Sequence, residues 1–223
     1  MVERVVGTQF HEAEGVEDWR VVYNGAKTFF ATGSFEKGVA LVDAIAKIAI
    51  AAGHHPDIDL RYNGVIVRVW TYSIGRLTDL DIALARQISA AARELDIPAD
   101  PSKVQTIQIA IDAMAIPEVL PFWKAVLGYS QSGDEDIEDP LWHSPNVWFQ
   151  QMDAPRPQRN RFHIDISLPR DQADERIAAA LAAGGHIVSD AHAPDWWTLA
   201  DSEGNEVDIA PWMDDLIPNR KWD

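Results

Sequence analysis

The chain has no cysteine in its 223 residues. That excludes disulfides and thiolate metal sites, and it suits a cytosolic protein. Long apolar runs are also missing: none approaches the ~20 residues that a membrane-spanning helix needs. Met1-Val2-Glu3-Arg4 does not lead into an apolar segment, so no signal peptide is expected. Basic residues are scarce, with 19 Lys and Arg against 35 Asp and Glu, for a net charge of −16. The imbalance is uneven. Residues 1–100 carry 14 acids and 10 bases (net −4), and residues 101–223 carry 21 acids and 9 bases (net −12). Such a surface repels phosphate backbones, so nucleic acid is a poor partner. The acidic run at 134–139 reads as a solvated loop. Apolar residues and tryptophan are plentiful, at 47% of the chain and nine copies, so the chain folds around a real core.

In the first half, residues 19–23 and 27–31 flank Asn24-Gly25 as a β-hairpin. Ser34 is placed to cap a helix whose apolar positions Val39, Val42, Ile45, Ala46 and Ala49 follow helical spacing. Gly53 and Pro56 should end it. Residues 60–62 and 65–71 flank Asn63-Gly64 as a second hairpin, and Thr78 caps a helix over residues 79–95. This order describes an antiparallel four-stranded sheet with helices on one face. Residues 97–102 contain two prolines and read as a short stiff linker. Beyond it lies an internal repeat. A strand at 106–111 and a helix at 117–127 recur as 162–168 and 171–183, with further strands at 147–152 and 206–210. The fold class is α+β, with a first domain over 1–100 and paired βαβββ modules over 103–223.

Gly53-His54-His55-Pro56 carries the clearest chemistry in the chain. Histidine can take or give a proton near neutrality, its unperturbed pKa being ~6.5. In an extended segment adjacent side chains point to opposite sides, so one histidine can face a ligand while the other orients it or packs. By itself the tetrapeptide could be only a polar turn closing a helix. Its neighbours are Tyr62-Asn63, Val65, Val67, Thr71, Gly75, Leu77-Thr78 and Asp81. With these, residues 15–97 resemble the pterin-4a-carbinolamine dehydratase family.

The resemblance implies a pterin carbinolamine substrate, elimination of water by acid–base catalysis, no required cofactor, and a homo-oligomer. It implies that His54, His55 and the residue at a third position surround the pterin. That third position, histidine in the family, is Tyr72 here, and the charged residue usual four places before the first histidine is Ile50. His54 and His55 would handle the protons, in either order, and Tyr72 would hydrogen-bond the departing hydroxyl. Pro56, Trp70 and Asp81 are the accompanying substrate-binding positions.

In the second half the marks are Gln108-Ile109-Ala110-Ile111-Asp112, Phe122-Trp123, Leu127-Gly128-Tyr129, His163-Ile164-Asp165 and the run from Asp201 to Asp208. With these, residues 104–212 resemble the glyoxalase-like branch of the vicinal oxygen chelate superfamily. Metal-using members imply a divalent ion at Gln108, Gln150, His163 and Asp208. Two neutral amides make a weak ligand set, so Gln108 and His163 read better as interior polar residues bonded to each other or to water. Trp123, Trp142, Trp148, Trp196, Trp197 and Trp212 could line a cleft for a second, flat small molecule, or serve packing. His143, His186 and His192 read as surface residues. The leading reading is thus a 4a-hydroxytetrahydrobiopterin dehydratase fused to a small-molecule-binding domain. The alternative is a degenerate dehydratase-like oligomerisation module with the active site in the second domain.

Overall fold

Ser34 sits in extended backbone and its hydroxyl accepts the Lys37 N–H at 3.3 Å, which starts the longest helix. This helix, α2 (Phe35–Ala52), follows a short α1 (Gly7–Glu12) that the periodicity does not announce. Leu41, Ile45 and Ala49 form its buried stripe. Gly53 then closes it at φ 62°, a left-handed conformation that costs glycine nothing. The chain is described here by a computed structural model over residues 2–22, 25–155, 164–166 and 170–209. It divides into two units, Met1–Thr106 and Ile107–Asp223, each with its own hydrophobic cluster.

In the first unit β1 (Arg20–Val22), β2 (Gly25–Phe30), β3 (Asp57–Arg61) and β4 (Gly64–Val69) form an antiparallel sheet in the order β1-β2-β4-β3. The expected turn residue Asn24 lies outside the described residues. Ala26 and Phe30 of β2 and Val65, Val67 and Val69 of β4 pack on α2 and on α3 (Asp79–Glu94). The other face of the sheet carries Lys27, Asp57 and Arg68 in one cross-strand row. Gly64 admits the ring of Phe29, which a Cβ there would meet at 2.2 Å.

The residues expected to leave the sheet as a linker do not do so. Ala31 N–H donates to Pro98 O at 2.9 Å, Asp100 N–H donates to Phe29 O at 2.7 Å, and Ala99 bridges Phe30. The reason lies in β1, which covers only residues 25–27 of β2 and leaves the rest of that edge open. Pro98 can fill the gap because only its carbonyl is used.

The second unit repeats one topology. The first copy comprises β5 (Gln108–Ala113), α4 (Ile116–Leu127), β6 (Ser130–Gln131), β7 (Asp136–Glu138) and β8 (Asn146–Gln151). The second comprises β9 (Ile164–Ile166), α5 (Ala173–Ala182), β10 (His186–Ser189), β11 (Trp197–Ala200) and β12 (Glu206–Ile209). Each sheet runs first-fourth-third-second, with the first and fourth strands parallel.

The acidic run is not a loop throughout, because Ile137 is fully buried and draws Asp136–Glu138 into β7. Asp139 turns the chain after it, accepting N–H groups of Leu141, His143 and Ser144. Burial pushes the Asp139 carboxyl up, but these donors outweigh it and hold it below the ordinary range. Trp123, a candidate cleft residue, is core: it is buried on α4 and its indole N–H donates to Asp201 at 2.9 Å.

Candidate active site

His54 follows the helix-ending Gly53, and its Nε2 lies 2.8 Å from Asp81 Oδ1. Asp81 reaches that point from the first turn of α3, where it completes a capping box with Thr78. Its Oδ2 accepts the Thr78 N–H at 2.7 Å, the Thr71 hydroxyl at 2.7 Å and the Thr78 hydroxyl at 3.2 Å. The two threonine hydroxyls are 2.7 Å apart. Asp81, expected at the substrate, is wholly buried against Thr71, Thr78 and His54. Its Oδ1 is paired with Nε2 of His54, which fixes the direction of the imidazole ring. His55 is exposed, as its opposite placement in the segment requires.

Tyr72 joins a different pair. Its hydroxyl donates to Asp57 Oδ2 at 2.6 Å and accepts from Arg68 Nη2 at 2.6 Å. Arg68 Nε donates to the same Asp57 oxygen at 2.7 Å, and its guanidinium lies 5.5 Å from the Tyr72 ring centroid. Asp57 and Arg68 face each other across β3 and β4, and Asp57 stands two residues beyond His55. Lys27 is the next residue in the row. Its Nζ donates to Thr106 Oγ1 at 2.9 Å, and burial, then the nearby Arg68 charge, push its amine down.

Burial, followed by the hydrogen bond to Asp57, pushes the Tyr72 phenol above its ordinary value, while Arg68 acts in the opposite sense. A phenol held protonated favours the fold at pH below ~10, its unfolded value. That contribution is lost as pH rises through the higher folded value. In ultraviolet difference titration Tyr72→Phe should therefore remove an ionisation that lies above ~10; an unchanged set of tyrosine transitions would contradict this.

Two other sequence candidates lie apart from these networks. Trp70 packs against the core of the first unit, and Ile50 is 73% exposed on α2. Pro56 is partly buried between His55 and β3.

Residues 5–91 match the family model for pterin 4 alpha carbinolamine dehydratase. A Nocardia farcinica protein named "Putative pterin-4-alpha-carbinolamine dehydratase" is 53% identical over 60 residues, covering 27% of this chain and 63% of that protein. A Chloroflexus aurantiacus protein of the same name is 44% identical over 71 residues, covering 32% of this chain and 76% of that protein. The chain belongs to the pterin-4a-carbinolamine dehydratase family. The crystal structure of a transcriptional coactivator/pterin dehydratase from Brucella melitensis aligns at 28% identity with a TM-score of 0.38, over 40% of this chain and 99% of that one. Residues 108–210 match a glyoxalase-like domain.

In this dehydratase-family protein the glyoxalase-like unit holds Gln108 and Gln150 apart. The register sets Gln108 beside Asn146 and Gln150 beside Asp112, four residues apart along the ladder. At ~3.3 Å per residue that is about 13 Å, too far for two glutamines standing off a sheet to share one ion. Asp208 faces Asp165 across the strands, and its Oδ1 accepts the Thr198 hydroxyl at 2.6 Å. His163 lies outside the described residues. Among the described residues no three His, Cys, Asp or Glu side chains converge on one point.

The remaining tryptophans divide by environment. Trp142, Trp148, Trp196 and Trp197 are partly buried, and Trp196 stacks on His192 at 4.0 Å between centroids. Trp212 lies outside the described residues. His143, His186 and His192 are exposed. Among the described residues no helix is long and apolar enough to cross a membrane.

Proposed function

We propose that the first unit dehydrates a 4a-hydroxytetrahydropterin to the quinonoid dihydropterin. The observation that carries this reading is the His54–Asp81 pair. A buried carboxylate with its other oxygen already engaged holds Nε2–H of His54 and fixes the ring's tautomer and direction. Elimination from a carbinolamine needs an acid at the leaving hydroxyl and a base at the neighbouring ring N–H. His54 and the exposed His55 supply the proton that lets the hydroxyl depart as water. The glyoxalase-like unit is an accessory domain for a second small-molecule ligand, and the whole is a cytosolic homo-oligomer.

Stopped-flow dehydration of freshly generated 4a-hydroxytetrahydropterin tests the assignment. His54→Ala and His55→Ala should each lower the rate by about 10²-fold or more. Wild-type rates in both would sink the proposal. Tyr72 in place of histidine favours a second reading, a retired site. A silent wild type revived by Tyr72→His would establish it and move the search for chemistry to the second unit.

A further inference from the structure

We infer that Asp57, acting through Tyr72, takes the proton from the substrate's ring N–H, with Arg68 holding the acceptor pair in place. The inference rests on the dehydratase reading above and assigns the base that reading leaves open. A phenol oxygen has one proton and two lone pairs. Here the proton is directed at Asp57 Oδ2 and one lone pair takes the Arg68 Nη2–H, both at 2.6 Å. A lone pair is what remains for a ligand. Toward substrate Tyr72 therefore accepts, which is the reverse of the donor role that the family resemblance implies for the departing hydroxyl.

A phenol is a poor base at neutral pH when it must become a free phenolate, its ordinary pKa being ~10. Passing its own proton on removes that obstacle. As the C–O bond lengthens, the ring nitrogen becomes iminium-like and its proton acidic, so a carboxylate is base enough. The N–H proton moves to Tyr72 Oη while the Tyr72 proton moves to Asp57 Oδ2. The N–H bond pair completes the C=N bond of the product. The C–O pair leaves with the hydroxyl, which takes a proton from the histidine pair and departs as water. Asp57 returns its proton to solvent before the next turnover, and the histidine pair regains one.

Asp57 and Tyr72 are each about half exposed, with side-chain exposure of 48% and residue exposure of 50%, so substituting them does not open the core. Arg68 is buried and sets their geometry. The test is stopped-flow dehydration with wild type, Asp57→Asn, Tyr72→Phe and the double variant. Asp59→Asn is the neighbouring-carboxylate control, since Asp59 is engaged by Arg61. His54→Ala reports on the dehydratase reading itself.

Asp57→Asn and Tyr72→Phe should each lower kcat by about 10²-fold with KM little changed. The double variant should fall no further than the singles, because the two residues form one path. Asp59→Asn should turn over like wild type. A wild-type kcat in either single variant, or losses that multiply in the double, overturns the relay. If His54→Ala is inactive while Asp57→Asn is normal, the dehydratase reading stands and the relay falls. A wild type without turnover removes both.

Discussion

Replacing Asp81 by Ala should destabilise the first unit by about 3–5 kcal/mol and abolish dehydratase turnover, whereas Asp81→Asn should separate these two effects. Asp81 is the shared acceptor for the Thr78 N–H that opens α3, for the Thr71 and Thr78 hydroxyls, and for His54. Truncation to Ala leaves buried donors with no acceptor, at about 1–3 kcal/mol each. The two threonine hydroxyls can still bond each other, which keeps the total below a simple sum. Asparagine can keep an oxygen toward Thr78 and Thr71. It then turns its amide N–H₂ toward His54 Nε2 and favours the wrong tautomer. The expected cost is about 1 kcal/mol in stability, together with a rate loss of about 10²-fold or more. Denaturant midpoints and stopped-flow rates on the same preparations check both. Wild-type turnover in Asp81→Asn would show that the pair does not orient His54 for catalysis.

Local signals carried most of the first unit, because its caps and turns are short-range. Ser34, Gly53 and Thr78 each act within a few residues, and the structure places helix ends at all three. The second hairpin turns at Tyr62-Asn63, one residue before the expected Asn63-Gly64, because Gly64 pairs with Arg61. Tertiary contacts set what local pattern could not. Asp57-Ile58-Asp59-Leu60-Arg61 forms a strand even though it follows a proline, because Ile58 and Leu60 pack under the helices. Residues 98–100 bind β2 only because β1 is short.

The same limit governed the site. His54 was legible from its dipeptide, but its partner is 27 residues away, and Asp81 read as a ligand contact rather than a buried acceptor. Asp57 and Arg68 were missed because counting outward from Asn63-Gly64 pairs Arg68 with Asp59; the turn lies one residue earlier, at Tyr62-Asn63, and that register pairs Arg68 with Asp57. Their importance emerges only when Tyr72 is seen to close on both. In the second unit the repeat was visible, but its strand register was not. A one-dimensional alignment of Gln108 with Gln150 has no access to the four-residue offset that separates them.

Asp201→Ala should destabilise the glyoxalase-like unit by about 3–4 kcal/mol. Its carboxylate is fully buried and organises the turn between β11 and β12. Oδ1 accepts the N–H groups of Glu203 and Asn205 at 3.0 and 2.9 Å, and Oδ2 accepts Asn205 Nδ2 at 2.8 Å and the Trp123 indole N–H at 2.9 Å. The last of these contacts crosses from the second module to α4 of the first. Glu203 makes the same crossing, accepting the N–H groups of Met114 and Ala115 just ahead of α4. One turn therefore fixes both the flank and the start of the other module's helix, and neither module buries its apolar face without its partner. Trp123→Phe keeps most of the apolar bulk and removes one donor, so it should cost about 1–2 kcal/mol. In the Asp201→Ala background it should cost markedly less, because the hydrogen bond is already gone. Chemical unfolding followed by tryptophan fluorescence measures this cycle. Strictly additive losses would show that the Asp201–Trp123 bond does not couple the modules.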